Sequence, residues 1–323
     1  MENYTLLQSE VEKAGLLDRA YGYYAVLIIT SLIGFFLSLY YVITIKSIPI
    51  LVIWDIALAF FTVQLSGIMH DAGHRAIFKT SKMNDVVGFI CAVLIVMGYS
   101  SWKTKHYLHH AHTNEEDVDP DLGLPILSFT VEKYRARKGV QKILSRYQSY
   151  LYYPIGLLVN FSVRITSMMY FWKNLKKYSV EIILFTIGLI VMYIVPFLVF
   201  DFIKAITLVI VFNFFSGVYL LNIFAPNHKG MPVLKRGKKI SFLEQQIMTS
   251  RNVKGSAIVD YIYMGVNYQI EHHLFPNCPR NKLKLIVPYV KNLAQDMNLD
   301  YTEVGIIESN RIILSELHKI TQT

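Results

Sequence analysis

Apolar residues along this chain gather into runs that are too long for an ordinary soluble core. Such runs cover residues 21–45, 50–69, 180–200 and 202–224. Each is long enough to cross about 30 Å of hydrocarbon as a helix, which takes about 20 residues. Lys46 and Pro49 mark the turn between the first two, and Asp201 and Lys204 mark the turn between the last two. The pattern therefore predicts two tight transmembrane hairpins. Residues 86–98 form an apolar run too short to cross, which predicts a re-entrant or interfacial helix. The stretch 150–172 has the length, but Pro154, Asn160 and Arg164 interrupt it, and it reads as interfacial. Ahead of the first run, Leu6, Leu7, Val11, Leu16 and Leu17 recur at near-helical spacing. That spacing suits an amphipathic helix lying on the bilayer or packed on the protein.

These elements predict an all-α integral membrane fold with four transmembrane helices in two hairpins, interfacial helices and a cytoplasmic helical cap. The expected organisation is an amphipathic segment over 1–20, a membrane domain over 21–279 and a mixed polar and apolar cap over 280–323. The first apolar run has no basic stretch before it and no small-residue cleavage site after it, so it is expected to be retained rather than cleaved as a signal peptide. Charge then orients the hairpins. Of the 32 Lys and Arg residues, 30 lie before the first run, between residues 75 and 177, or from residue 229 onward. Positive residues stay on the cytoplasmic side, which puts both termini and the middle segment there and the hairpin turns outside.

Composition narrows the chemistry. With 53% hydrophobic residues, 17 Gly and 10 Pro in 323 positions, the chain is neither disordered nor collagenous. Two isolated cysteines, Cys91 and Cys278, cannot make a disulfide framework or a cysteine-based zinc or iron–sulfur site. The formal charge of +9 comes without a recognition helix or an aromatic RNA-binding strand, so nucleic acid is not an expected partner.

The ten histidines carry the signal. Nine fall in four clusters: His70 and His74; His106, His109, His110 and His112; His228; and His272 and His273. His70 and His74 are four apart and share a helix face, as do His106, His109 and His110. Gln269, His272 and His273 repeat that spacing. In the predicted topology every cluster lands on the cytoplasmic side. Gathered protonated imidazoles repel one another, and buried neutral ones need partners, so a metal resolves both problems. Eight or nine nitrogen donors imply two ions, and imidazole alone does not select among zinc, copper, iron and nickel. His112 is the doubtful donor, because it projects from another face. His318 reads as a surface histidine. Asp71, Asn114, Asn267 and Glu271 are candidates to orient the imidazoles. Glu115, Glu116, Asp117, Asp119 and Asp121 read as a solvated acidic loop. Trp102, just before the second cluster, is a candidate for the substrate tunnel or for an interfacial anchor.

The segments HDAGH (70–74), HYLHHAHTN (106–114), NHKGMP (227–232) and NYQIEHHLFP (267–276), with QQIMTSRN (245–252) leading into the last, resemble the three-histidine-box membrane fatty acid desaturases. The Gln that opens the last box is similar to the front-end branch and its bacterial acyl-lipid and acyl-CoA relatives. The resemblance runs from about Leu16 to Leu283. It implies a non-haem di-iron centre that uses O2 and two electrons to place a cis double bond in an acyl chain carried as lipid, acyl-CoA or acyl-carrier protein. It also implies metal roles for His70, His74, His106, His109, His110, His272 and His273, with His228 as the additional ligand after the fourth span. Gln269 is then a ligand or a neighbour of one. Members of the front-end branch often carry a fused cytochrome b5 domain with a His-Pro-Gly-Gly motif, which does not occur here. The expected electron source is thus a separate protein of ferredoxin, flavodoxin or cytochrome b5 type. Membrane lipid is the remaining expected partner. An unactivated methylene offers nothing to an acid, base or nucleophile, which agrees with redox-metal chemistry. A related di-iron hydroxylase or oxygenase is the alternative enzyme, and a metal transporter or sensor is the alternative outside enzymes.

Overall fold

The computed structural model describes residues 2–123 and 126–322, so the outermost residues of the expected first and last segments, 1 and 323, lie outside it. Its helices are, in chain order, α1 (Glu2–Lys13), α2 (Tyr21–Thr44), α3 (Ile48–Gly73), α4 (Ser81–Leu94), α5 (Tyr99–Ala111), α6 (Val131–Ala136), α7 (Gly139–Arg146) and α8 (Gln148–Trp172). They continue as α9 (Ser179–Tyr193), α10 (Val195–Val199), α11 (Phe202–His228), α12 (Phe242–Thr249), α13 (Ala257–Ile262), α14 (Gln269–Leu274), α15 (Leu283–Asp296) and α16 (Ile306–Thr321). Two short strands, β1 (Asn252–Val253) and β2 (Glu303–Val304), pair in parallel.

The helices α2, α3 and α11 are long and apolar enough to cross a membrane, and α4 with α5 make a further candidate bent by 112°. The run 86–98, expected to be re-entrant or interfacial, enters this bend. The run 180–200 is not one helix: α9 ends at Tyr193, and α10 begins with Pro196 in its first turn. Proline has no N–H for the preceding turn and its ring crowds the carbonyl there, so the helix breaks ahead of it.

The chain folds as two compact units, one made of Arg19–Thr104 and Pro154–Leu221, the other of Met1–Asp18, Lys105–Tyr153 and Asn222–Thr323. In the first, α2 buries Tyr24, Leu27, Ser31, Gly34, Phe35, Ser38 and Val42, a stripe at spacings of three and four. Its other faces carry exposed Val26, Ile29, Ile33, Phe36 and Tyr40. A helix apolar all round suits hydrocarbon on the faces that protein does not cover. Gly34 admits the Phe61 ring, which would lie 2.3 Å from any added Cβ. Tyr41 stacks on Trp54 with centroids 4.2 Å apart.

The polar positions of α8 face inward. Asn160 and Arg164 are buried, Asn160 donates to Ser216, and Arg164 donates to the Asn160 carbonyl at 3.0 Å. Where no water reaches, such donors need protein partners, so these residues mark the packed side of the helix. At the α4–α5 bend Val96 has φ 55°, an outlying conformation for a β-branched residue, and packs with Phe171 and Phe185. Glu181 caps the start of α5, accepting from the Ser100 N–H at 2.9 Å and its hydroxyl at 2.6 Å. Its negative charge complements the helix N-terminus.

The second unit buries Leu7 and Val11 of α1 with Leu243, Ile247, Ile270, Leu274, Ile286 and Val290. The amphipathic face of α1 is therefore packed on protein, and the Tyr4 hydroxyl donates to the Leu274 carbonyl at 2.7 Å. A capping box of Ser241 and Glu244 starts α12. Glu271 is fully buried and accepts from Asn252 Nδ2 at 2.6 Å and from the Tyr301 hydroxyl at 2.7 Å. Asn252 Oδ1 in turn accepts from the Ile270 N–H at 3.0 Å, which ties α14 to the strand pair.

The backbones of α8 and α11 approach closely, and a Cβ on Gly217 would lie 2.0 Å from the Gly156 carbonyl oxygen. Gly217→Leu is expected to force these helices apart and to destabilise the protein by about 3 kcal/mol. The check is a lowered unfolding midpoint and loss of the monodisperse peak in detergent. Gly22→Ala, where an added Cβ meets nothing within 4 Å, is the control and should leave the midpoint unchanged or slightly raised.

Candidate metal centre

In the unit that contains α3, His70 and His74 end that helix with ring centroids 4.8 Å apart, and both are buried. Their i, i+4 spacing sets this approach. Asp71 lies between them in sequence: its Oδ1 is 3.3 Å from His70 Nδ1, and its Oδ2 accepts from the Tyr24 hydroxyl at 2.7 Å. Trp102 stands edge-on to both rings, with centroids 5.7 Å from His70 and 6.4 Å from His74. Gly73 makes room for it, because a Cβ there would lie 2.5 Å from the indole.

The other unit gathers six imidazoles from three elements: His106, His109 and His110 of α5, His228 at the end of α11, and His272 and His273 of α14. They form two sets. The ligand nitrogens of His106, His110 and His272 lie within 4.8 Å of one another, and so do those of His109, His228 and His273. His106 Nε2 is 3.1 Å from His110 Nε2, and His109 Nε2 is 3.4 Å from His228 Nε2. Metal–nitrogen bonds of about 2.0–2.1 Å at tetrahedral or octahedral angles separate neighbouring donors by about 2.9–3.4 Å. The observed spacings fall in that range. His110 and His273 stack with centroids 4.1 Å apart, so the two sets adjoin.

The second set is oriented ring by ring. His109 Nδ1 is 3.0 Å from both oxygens of Asp119, His228 Nδ1 is 3.2 Å from the Thr249 carbonyl, and His273 Nδ1 is 2.7 Å from Gln246 Oε1. An acceptor at Nδ1 holds the proton there, which leaves the Nε2 lone pair for a metal and fixes the plane of each ring. Asp119 is itself anchored by the backbone N–H groups of Asn114 and Asp121, both at 2.8 Å. Burial works against its ionisation, yet the hydrogen bond and charge of His109 outweigh it and hold the carboxyl below its ordinary range. The donor set, its spacing and its orientation all fit a metal that takes imidazole nitrogen.

Gln269 adjoins the same set, with its Nε2 2.9 Å from His228 Nε2. Asn227 dictates that orientation. The Asn227 amide donates to the carbonyls of Ile223 at 3.0 Å and Val266 at 2.9 Å, and to Gln269 Oε1 at 3.0 Å. The side of Gln269 that faces the imidazole is therefore its NH2, which has no lone pair for a metal.

The remaining candidates sit elsewhere. His112 pairs with Glu115 at 2.7 Å, and among the described residues it joins none of the imidazole sets. The hydrogen bond from Gly237 N–H, followed by that of His112, holds the Glu115 carboxyl below its ordinary range. Asn114 organises backbone rather than rings: its Nδ2 donates to the carbonyls of His228 at 3.1 Å, Pro232 at 3.3 Å and Thr249 at 3.4 Å. Asn267 donates to Val253 O and Asp260, and Glu271 holds Asn252 and Tyr301. The reading of the acidic stretch as a solvated loop is corrected at Asp119, which is only 3% exposed and bonded to His109. Gln246 and the Thr249 carbonyl were also missed. Asp119 follows His109 at a spacing with no helical meaning, and a backbone carbonyl has no sequence signature.

The fatty acid desaturase family matches residues 46–305. Similar proteins include an acyl-lipid (9-3)-desaturase of Physcomitrium patens, 29% identical over 93% of this chain and 59% of its own length. A Delta(8)-fatty-acid desaturase of Euglena gracilis is 26% identical over 93% of this chain and 74% of its own length. An acyl-lipid (9-3)-desaturase of Borago officinalis is 27% identical over 98% and 74%. The chain thus spans 59% of the first of these relatives and 74% of the other two. The chain belongs to the fatty acid desaturase family.

Asp119→Asn keeps the shape of the side chain but replaces one acceptor oxygen with a donor. It is expected to weaken metal retention by about 10- to 100-fold, read as metal per chain after dialysis against a graded chelator. His112→Ala should retain metal as the unaltered protein does.

Proposed function

We propose that this protein is a membrane-bound, O2-dependent fatty acyl desaturase, an oxidoreductase of lipid metabolism that places a double bond in an acyl chain. The observation that carries the reading is the second imidazole set: three rings from distant segments, each with Nδ1 beside an acceptor and with ligand nitrogens within 4.8 Å of one another. His109, His228 and His273 would hold one ion, and His106, His110 and His272 would contribute to another. His70 and His74 are proposed as ligands on the pattern of their box. Iron is the proposed metal, since imidazole accepts it and the family's chemistry calls for a redox ion. When bound, it supplies the O2 activation that an unactivated C–H bond requires.

The chain's own residues do the rest. Asp119, Gln246 and the Thr249 carbonyl keep the ligand rings in one tautomer and one orientation through turnover. Gln269 presents an N–H beside His228, so it would serve as a hydrogen-bond donor at the edge of the set rather than as a metal ligand through its own oxygen. Trp102 walls His70 and His74 with an apolar surface that keeps water from that edge of the site. Overall, O2, two electrons and two protons enter, the acyl chain gives up two hydrogens, and two waters leave. The substrate is a fatty acyl chain carried on a lipid, CoA or carrier protein, and the electrons come from a redox partner. The proposed orientation places the histidine boxes on the cytoplasmic side of the membrane, following the positive charges.

Expression in a host fed saturated and monounsaturated chains, followed by gas chromatography and mass spectrometry of its lipids, tests this directly. A product two mass units lighter than its precursor is expected; a product 16 units heavier would make the protein a hydroxylase. Replacing His272 and His273 together by Ala should abolish the new product and lower bound iron, and full retention of product would overturn the reading.

A further inference from the structure

The turn over residues 235–239 reads Lys-Arg-Gly-Lys-Lys, and all five residues are exposed. Four cations in five positions usually make only a solvated surface. Here the turn is pinned to the segment that organises the metal centre. The Leu234 N–H donates to the Asn114 carbonyl at 2.9 Å, and the Glu116 N–H returns to the Leu234 carbonyl at 2.8 Å. The Gly237 N–H donates to Glu115 Oε1 at 2.9 Å. Gly237 has φ +75°, a conformation that a side chain would strain, so the chain reverses there and holds the cations on a fixed turn. The Glu115 carboxylate, which accepts from the Gly237 N–H and interacts with Arg236, offsets one of the four positive charges, so the turn keeps a net positive charge.

From this turn two short bonded routes lead inward. In one, Leu234 reaches Asn114, the Asn114 N–H reaches Asp119 at 2.8 Å, and Asp119 reaches His109 Nδ1 at 3.0 Å. In the other, Asn114 Nδ2 reaches the backbone carbonyl of His228 itself at 3.1 Å. Electrons tunnel more readily through covalent and hydrogen bonds than across gaps, so a carrier resting on the turn would be coupled to two imidazoles of one set.

We infer that the 235–239 turn is the docking surface for an acidic one-electron carrier and that Asn114 joins it to His109 and His228. This deepens the desaturase reading and rests on it. Each turnover oxidises two reduced carriers, and their two electrons, with two protons, complete the reduction of O2 to two waters alongside the two hydrogens from the acyl chain. Opposite charge guides such encounters and makes them sensitive to salt. The Asn114 side-chain NH2 and backbone carbonyl are spent on backbone partners, consistent with a structural relay rather than a ligand.

The test uses the full-length protein in detergent and the variant Lys235→Ala, Arg236→Ala, Lys238→Ala, Lys239→Ala. Binding of two acidic probes, a soluble ferredoxin and a soluble cytochrome b5 domain, is titrated at low salt and at about 0.15 M salt. The unaltered protein should bind at least one probe, more weakly as salt rises, and the variant should bind it about tenfold or more weakly. Both proteins should melt alike, hold equal metal and give equal product in a single turnover after chemical reduction with dithionite. The inference is overturned if neither probe binds, if the variant binds as tightly as the unaltered protein, or if the variant loses only its affinity for anionic phosphatidylglycerol vesicles. Failure of the chemically reduced, unaltered protein to make product would instead sink the desaturase reading, a result separate from the binding titration.

Discussion

An imidazole offers a metal one nitrogen only while its other nitrogen has somewhere to put a proton, and much of the unit built from α5, α12 and α14 can be understood from that constraint. Three acceptors serve His109, His228 and His273: a carboxylate, a backbone carbonyl and a side-chain amide. Each has to be immobile if the ring it serves is to be immobile. Asp119 is clamped by two backbone N–H groups, and Gln246 sits on α12, whose first turn is fixed by a reciprocal cap. The Thr249 carbonyl lies one residue before Ser250, where α12 ends, and Asn114 holds it from the other side. Packing supports the same end. Asn252, Glu271 and Tyr301 lock the short helix α14, which at six residues could not hold its shape alone.

Buried polar groups in the unit that contains the apolar helices follow a related rule. Arg164 donates to a backbone carbonyl, Asn160 donates to Ser216, and the Lys204 ammonium donates to the Ile43 and Ile45 carbonyls at 2.8 Å where α2 ends. Each supplies the partner that water would otherwise provide. Glu181 performs the complementary task at the start of α5. The strained Val96 is retained because Phe171 and Phe185 pack around the bend it makes possible.

Much of this was legible from residue order, and the part that was not has physical reasons. Long apolar runs and imidazoles at helical spacing are local signals: the first marked α2, α3 and α11, and the second singled out the histidines proposed as ligands. The break at Ile194 was also written locally, in Pro196, but the average hydropathy of 180–200 masked it. Asn160 and Arg164 interrupt the apolar run of α8 and suggested an interfacial helix, whereas both side chains are buried, with Asn160 bonded to Ser216 of α11 and Arg164 to the Asn160 carbonyl. Asp119 was hidden among neighbouring acids. What separates it from them is a tertiary contact with His109 and two turn N–H groups, and no pattern along the chain encodes either.

The surroundings of one imidazole set bear on the proposed chemistry. The set of His109, His228 and His273 has every Nδ1 occupied by a fixed acceptor, and its fourth neighbour is Gln269, turned by Asn227 to present an N–H. An imidazole in that place would add a nitrogen donor to the set. The amide N–H instead places a hydrogen-bond donor at the edge of the set. On the proposed reading, the departure of the last box from a third histidine would leave the ion held by His109, His228 and His273 with one nitrogen donor fewer and a hydrogen-bond donor beside it. Asn227, buried and committed to three acceptors, is the residue that maintains it.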